Sequence, residues 1–325
     1  MKSIKRLLSH AEFVVGALLV LAFAAVAAAA PLLAPPVEED PYQLPQYGYA
    51  SSPIPPSAEH PLGLMQGQYD TLYGMIWGAR TALRAGLLIT LGRAVVGILI
   101  GAVAGYYGGM LDALLMRITD AFLAFPVVTG VMLTFAVFVS DELSLQLGQG
   151  DTVLMAALAV FGWMQYARVV RGNVLAERTR DYVQAAVSVG APNRRIIFRH
   201  VLPNSTQGLL VLITSDVGTM VVTVAALTFI GLAGNEPVAD WGMMLKYSRN
   251  WLIGTPANAF QYWYTYVPPL AAIALFSVGW NLVGDGLREA LDPRLRGLSL
   301  SIRSRRAPNK VRYRKSADSP TGSIS

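Results

Sequence analysis

The sequence predicts an all-α integral membrane protein that crosses the bilayer six times. Of its 325 residues, 54% are hydrophobic and only 14% are charged, whereas a soluble domain carries roughly 25% charged residues. Six uncharged or nearly uncharged runs approach the length of about 20 apolar residues that a bilayer core requires. Lysine and arginine are also distributed very unequally between the segments that join these runs, as a fixed membrane topology requires.

The first apolar run follows a basic start. Lys2, Lys5 and Arg6 precede the uncharged stretch Val14–Ala30. This pattern also fits a secretory signal peptide whose alanine-rich end a signal peptidase could accept. The run is longer than a usual signal core, so we favour an uncleaved transmembrane anchor over residues 1–34. Cleavage would leave the orientation of all later spans unchanged.

Residues 35–77 are rich in proline and in acidic side chains. Between Leu32 and Gln68 there is no lysine or arginine. Such a segment cannot insert into a bilayer and offers little with which to form a core. We therefore expect an exposed, mostly irregular, extracytoplasmic loop here.

Five further apolar runs follow. We place the second to sixth spans at Ala82–Tyr106, Ala121–Val139, Val153–Val170, Gly208–Leu232 and Val267–Val283. A polar turn containing Asp112, Arg117 and Asp120 should precede the third span, which Pro126 should bend near one end. Asp141, Glu142 and Asp151 mark an acidic connector, and aromatic residues around Trp241 and Trp263 fit an interfacial belt.

Three glycines in the second span recur every four residues and so share one helix face. They are Gly97, Gly101 and Gly105. In lipid, a face of small residues lets another helix backbone approach closely. We attribute this face to helix packing rather than to a substrate path.

The distribution of basic residues predicts the orientation. The N-terminal start, the segments around Arg117 and Arg171–Arg199, and the chain after Val283 together hold twenty lysines and arginines. The segments on the other side, residues 31–79, 140–152 and 233–262, hold only Lys246 and Arg249. Because basic loops stay inside, we expect a multi-pass protein of the cell membrane with both termini in the cytoplasm. The basic, serine-rich residues 298–325 should form a disordered tail attracted to anionic lipid.

The stretch Asp181–Asn204 is a polar, basic island between two apolar runs. Residues 182–189 predict a short helix that Gly190 ends, since glycine readily takes the left-handed conformation. Pro192 should lie in the first turn of a second helix, and Pro203 should end it. Two short cytoplasmic helices of this kind are suited to docking another protein.

This island resembles the EAA loop of ABC-importer permeases. Ala185, Ala186, Gly190, Leu202 and Pro203 fit the pattern of that loop, whereas Gln184 replaces its glutamate and His200 its isoleucine. The resemblance implies a cytoplasmic coupling helix that enters a cleft on an ATPase subunit. The residues implied to form this ATPase-coupling loop are Asp181, Tyr182, Gln184, Ala185, Ala186, Gly190, Ala191, Arg194 and Arg195.

Further stretches are similar to the C-type permease of dipeptide, oligopeptide and nickel ABC importers. They include Gly78–Leu83, Gly105–Asp112, Met116–Asp120, Tyr166–Gly172, Phe229–Leu232, Trp241–Leu245, Asn281–Arg288 and Asp292–Leu295, with His60–Gly63 before them. The resemblance implies a type I ABC-importer permease fold with its core at residues 78–297. It also implies alternating access driven by two cytoplasmic ATP-binding subunits, beside a homologous B-type permease and an extracytoplasmic solute-binding protein.

Two charges lie deep in apolar runs. Arg93 is near the middle of the second span and Asp216 near the middle of the fifth. An unpaired charge at the bilayer centre costs at least about 2.5–3.5 kcal/mol on insertion scales. We expect the two side chains to be close and to pair, with a structural pair favoured over substrate contact.

Several other functions are disfavoured. The chain has no cysteine and three widely separated histidines, so no metal site, cofactor or catalytic residue is expected. It also has no phosphate-binding Gly-Lys-Ser/Thr loop with which to hydrolyse ATP. Its net charge of +6 lies mainly on one side of the membrane, so membrane lipid rather than nucleic acid is the expected partner.

A secondary transporter would show matching interruptions in two inverted halves, and a membrane enzyme would need a nucleophile and base within reach of each other. We see neither pattern in the spans. Peptides are the most common substrate implied by the resemblance, with nickel chelates and oligosaccharides as open alternatives.

Overall fold

The protein is built from helices joined by short connections. The computed structural model describes residues 10–138, 150–206, 208–232, 237–253, 258 and 260–291. The helices in chain order are α1 (Ala11–Leu33), α2 (Thr71–Tyr107), α3 (Gly109–Ala124), α4 (Val127–Phe138), α5 (Gly150–Val160), α6 (Met164–Arg178), α7 (Asp181–Ser188), α8 (Asn193–Ile196), α9 (Leu202–Ser205), α10 (Leu209–Ile230), α11 (Trp241–Ile253) and α12 (Trp263–Leu291). A π-helical turn, Ile197–Val201, joins α8 to α9. Within these ranges, β pairing occurs only as isolated bridges.

Five helical stretches are long and apolar enough to cross a membrane. They are α1, α2, the stretch Thr152–Arg178 formed by α5 and α6, α10 and α12. The pair α3–α4 makes a sixth candidate, bent by 86°. The fold class predicted from the sequence, a helical membrane protein, is thereby confirmed, with five to six candidate spans.

The helical stretch at the predicted third span begins much earlier than expected. Instead of forming a polar turn, Asp112, Arg117 and Asp120 lie within α3, which starts directly after Gly108. The charges are tolerated in a helix because two of them have partners on α6: Arg171 contacts Asp112 at 2.5 Å and Arg168 contacts Asp120 at 2.6 Å. The sharp bend lies at Phe125–Pro126, where proline removes a helical N–H as expected.

The proline-rich segment is irregular and mostly exposed, as predicted, but a few of its side chains are buried against the helices. Leu44 and Met65 are 2% and 0% exposed, in one cluster with Trp77 of α2 and Trp241 of α11. Main-chain hydrogen bonds join Leu44 to Pro237 and Ala239 to Tyr42. A few well-placed apolar side chains therefore suffice to dock this segment across α2 and α11. Trp241 accordingly lies in the protein core.

The second helix also begins earlier than expected, at Thr71. Asp70 precedes it and accepts a hydrogen bond from the Tyr73 amide at 2.8 Å, as a helix N-cap. The other carboxylate oxygen of Asp70 lies 2.7 Å from His60 Nδ1. One aspartate thus starts α2 and ties the proline-rich segment to it.

Asp70→Ala is expected to lower the free energy of unfolding of this region by about 0.5–2 kcal/mol, the usual cost of losing a helix N-cap. The thermal midpoint of the purified protein measures the effect. Asp70→Asn is the matched control, because an amide oxygen still caps the helix. Equal midpoints for the alanine variant and the wild type would contradict the prediction.

The glycine face of α2 forms a close and extensive helix contact in the described core. A Cβ on Gly101 would lie 2.5 Å from the Ala167 carbonyl oxygen, and one on Gly105 would lie 2.9 Å from that of Arg171. A Cβ on Gly97 would lie 2.6 Å from the Trp163 carbonyl oxygen. The predicted close approach is therefore present, and the partner is α6.

Asp240, which immediately precedes α11, is a buried carboxyl group. It accepts a hydrogen bond from the Met243 amide at 2.9 Å. Burial raises the pKa of Asp240 above its ordinary value of 3.8 despite this hydrogen bond. The folded state therefore binds more protons than the unfolded state at pH values just above 3.8.

The free energy of unfolding should accordingly fall as pH rises from about 4 through the raised pKa of Asp240. Asp240→Asn keeps the oxygen that accepts from Met243 and removes the titration. We expect the variant to lose part of this pH dependence, measured as thermal midpoints across the acidic range. An unchanged slope would contradict the assignment.

Three predictions concern residues outside the described part of the chain. They are the basic start with Lys2, Lys5 and Arg6, the acidic connector at Asp141 and Glu142, and the tail at 298–325. Asp151, assigned from the sequence to the same connector, belongs to α5.

Candidate functional site

The predicted loop consists of α7, a turn and the stretch from α8 to α9. Its first helix ends as expected: Gly190 has φ 75°, the left-handed conformation that glycine adopts without strain. The Gly190 amide donates to the Val187 carbonyl at 2.9 Å, and the Ala191 amide donates to that of Ala186 at 3.1 Å. These bonds satisfy carbonyl groups that a helix end leaves open.

The second half of the loop differs from the prediction at both prolines. Pro192 lies just before α8 rather than within its first turn. Pro203 does not end the helical stretch, because it occupies the first turn of α9, where a missing N–H costs little. Side chains bond to carbonyls at this point: Asn204 Nδ2 donates to His200 at 2.7 Å, and Ser205 Oγ donates to Val201 at 2.8 Å.

The loop is fixed to the ends of the membrane helices by buried apolar side chains. Val183, Ile196 and Val201 are buried in one cluster with residues of α6 that include Val170 and Val174. A loop anchored in this way moves with α6 instead of flexing independently.

Polar contacts at the end of α2 reinforce this attachment. Tyr106 Oη donates to Asn193 Oδ1 at 2.9 Å, and Arg178 donates to the Tyr106 carbonyl at 2.8 Å. Gln184 in turn donates to the Arg178 carbonyl at 2.9 Å. The loop is thus bonded to the last residues of both α2 and α6.

Tyr182 organises the junction between α6, α7 and α9. Its hydroxyl donates to the Glu177 carboxylate and accepts from Asn204 Nδ2 at 3.0 Å. Desolvation, and after it the Glu177 carboxylate, raises the pKa of the Tyr182 phenol, so the hydroxyl remains protonated and able to donate. Glu177, Tyr182 and Asn204 line an open depression of about 530 Å³, together with Arg180 and Asp181.

The outer face of the loop combines small, apolar and basic groups. Asp181, Gln184, Ala185, Gly190, Arg194 and Arg195 are exposed, whereas Ala186 and Ala191 are half-buried. A second depression, of about 430 Å³, is lined by Pro192, Arg194, Arg195 and Phe198. The arrangement offers a partner protein an apolar contact with basic groups beside it.

Sequence reasoning missed two residues of this face. Val189 is 82% exposed and Phe198 is 58% exposed. The exposure of Phe198 could have been inferred from its position directly after Ile196 and Ile197, which are buried. The residue that follows a buried pair in a helix turns away from the buried face.

The two intramembrane charges are brought together. Arg93 Nη1 lies 3.4 Å from Asp216 Oδ1, and Arg93 Nε donates to the Leu158 carbonyl at 2.8 Å. Tyr166 Oη donates to Asp216 Oδ2 at 3.0 Å. The side chains of Arg93 and Asp216 are only 7% and 16% exposed, so the described geometry is that of a buried ion pair.

Metal binding finds no support in the described part of the chain, where no group of three or more histidine, aspartate or glutamate side chains is arranged to hold an ion.

Comparison with known proteins identifies relatives of similar length. Residues 97–297 match the family described as "Binding-protein-dependent transport system inner membrane component". The dipeptide transport system permease protein DppC of Alkalihalophilus pseudofirmus is 34% identical over 297 residues, which cover 91% of this chain and 90% of the relative. Glutathione transport system permease proteins GsiD are similar over shorter stretches. That of Pectobacterium atrosepticum is 36% identical over 241 residues, and that of Escherichia coli O6:K15:H31 is 35% identical over 242 residues; each match covers 74% of this chain and 75% of the relative.

Proposed function

We propose that this chain, which belongs to the family of binding-protein-dependent transport system inner membrane components, admits di- or oligopeptides to the cytoplasm as one permease subunit of an ABC importer. The observation that carries the substrate class is the match along nearly the whole chain to a dipeptide transport permease. Glutathione, named for the other relatives, is itself a small peptide. Both names favour peptides over oligosaccharides and nickel chelates.

The proposed orientation has both termini and the loop at 181–206 in the cytoplasm of a multi-pass membrane protein. The excess of basic residues on that side supports it. Because α2 begins at Thr71, Arg80 and Arg84 join Lys246 and Arg249 on the opposite side. The imbalance of twenty against four still favours the same orientation.

The proposed partners are a homologous permease, two cytoplasmic ATP-binding subunits, an extracytoplasmic solute-binding protein and membrane lipid. ATP hydrolysis belongs to the ATP-binding subunits, and this chain is a non-catalytic part of the path. The loop contributes Asp181, Tyr182, Gln184, Ala185, Ala186, Gly190, Ala191, Arg194 and Arg195 to the surface that an ATP-binding subunit grips. The attachment of the loop supports this role, because a loop bonded to both α2 and α6 transmits a movement that a loose connector would absorb.

The proposal is tested by reconstituting the complete transporter in lipid vesicles and measuring uptake of labelled dipeptides, glutathione, an oligosaccharide and a nickel chelate. Peptide uptake that requires ATP on the loop side and the binding protein on the other side is the expected result. Preferential uptake of the oligosaccharide or the chelate would contradict the substrate class. Uptake driven by an ion gradient without ATP would contradict the mechanism.

A further inference from the structure

The membrane-spanning stretch of α5 and α6 is interrupted at Phe161, Gly162 and Trp163. The Arg93 side chain of α2 occupies this break. A Cβ on Gly162 would overlap the Arg93 guanidinium, and Arg93 Nε donates to the carbonyl of Leu158, on the α5 side of the break, at 2.8 Å. The guanidinium therefore fills the space that a side chain at 162 would need.

The same guanidinium is held from the other side of the break. Asp216 of α10 contacts Arg93 Nη1 at 3.4 Å, and Tyr166 of α6 donates to the second oxygen of Asp216 at 3.0 Å. The planar fork of arginine can donate from several nitrogens at once, which the point charge of lysine cannot do from the same place. One side chain thus connects α2, α5 and α10, and through Tyr166 also α6.

The helix that follows the break leads directly to the coupling loop. From Met164, α6 runs to Arg178, whose side chain donates to the Tyr106 carbonyl at the end of α2. Because α6 packs closely on the glycine face of α2, with Tyr166, Val170 and Val174 in contact with it, its direction is set at the break and maintained down to the loop.

We propose that Arg93 is a positioning residue for transport: held by Asp216, it fixes the break at Gly162 and thereby the angle at which α6 carries the coupling loop. This deepens the proposed importer function and rests on it. The ion pair is then more than a way to neutralise two charges in the membrane. Its geometry, and not only its charge balance, is needed for ATP hydrolysis to drive uptake.

Arg93→Lys separates geometry from charge in the fully assembled transporter. Lysine keeps a positive charge near Asp216 but loses the Nε donor to Leu158. We expect wild-type amounts of assembled complex. The ratio of peptide-stimulated to basal ATP hydrolysis and the rate of peptide uptake should both fall by about fivefold or more, the lower range of typical coupling between sites. Wild-type ratio and uptake, or a defect confined to the amount of assembled complex, would overturn the proposal.

A double-mutant cycle tests whether the guanidinium occupies the break. Gly162→Ala should lower the thermal midpoint of the wild-type complex, because the added methyl displaces Arg93. In the background Arg93→Ala with Asp216→Asn, which removes both charges and vacates the space, Gly162→Ala should have little further effect. Equal losses in both backgrounds would overturn the proposal. Failure of the importer function appears separately, as absent peptide stimulation in the wild type, while this cycle is still readable.

Discussion

Gly101→Leu is expected to separate α6 from α2 and to remove most of the folded protein. A Cβ at this position would lie 2.5 Å from the Ala167 carbonyl oxygen and 2.9 Å from Val170 Cβ. The neighbouring contacts at Gly97 and Gly105 prevent a local retreat of α6. Overpacking a tight contact costs roughly 1–3 kcal/mol and occasionally more, and we expect about 3 kcal/mol or more here. The yield of monodisperse protein and its thermal midpoint measure the loss.

Gly172→Leu is the matched control for this substitution. Gly172 lies in α6, is exposed, and has no heavy atom within 4 Å of an added Cβ. The control should fold with nearly the wild-type midpoint, since both variants add the same side chain to a helix. If the Gly101 variant is as stable as this control, the prediction is wrong and the fold does not require close contact between α2 and α6.

Ala185→Arg is expected to abolish coupling to the ATP-binding subunits while leaving the chain folded. Ala185 is exposed on α7, and substitutions at such surface positions usually change stability by no more than about 0.5 kcal/mol. In the proposed assembly the same position enters a cleft, where a long charged side chain does not fit. We expect uptake to fall at least about tenfold. Such a loss corresponds to only about 1.4 kcal/mol of binding free energy, which one misfitted contact can account for.

The control for this variant is Ala58→Arg, which places the same side chain on an exposed alanine of the proline-rich segment. Uptake and co-purification of the ATP-binding subunits are measured for both variants. The Ala58 variant should retain both properties, and the Ala185 variant should lose both. Normal co-purification with the Ala185 variant would show that α7 is not the docking element.

The sequence predicted those parts of the fold that depend on local composition and short-range periodicity. The glycine face of α2 follows from a spacing of four residues, and the end of α7 follows from one glycine. The proximity of Arg93 and Asp216 follows from the cost of isolated charge in lipid. Each of these inferences needs only one segment or one strong energetic penalty.

The remaining features depend on partners far away in the chain. Asp112 and Asp120 resemble turn residues until Arg171 and Arg168 on α6 pair with them. Leu44 and Met65 are too isolated in sequence to indicate a core, because the cluster that buries them is assembled from distant residues such as Trp77 and Trp241.

At the loop, the match to a known pattern indicated the residues that we propose for docking but not the exposed side chains of Val189 and Phe198. The prediction that Pro203 ends the second helix was wrong, because the helical stretch continues to Ser205. The hydrogen bonds that Asn204 and Ser205 make around that proline depend on the folded geometry.

The length of α2 has a mechanical consequence. Its 37 residues extend for about 55 Å, nearly twice the roughly 30 Å of bilayer hydrocarbon. One end carries Tyr73 and Trp77, which contact the proline-rich segment, and the other carries Tyr106, which is bonded to the loop. The helix is therefore continuous from one end to the other, so a tilt imposed at one end also moves the other end. In the proposed assembly, this one helix connects the membrane surface that receives cargo with the surface where the ATP-binding subunits hydrolyse nucleotide.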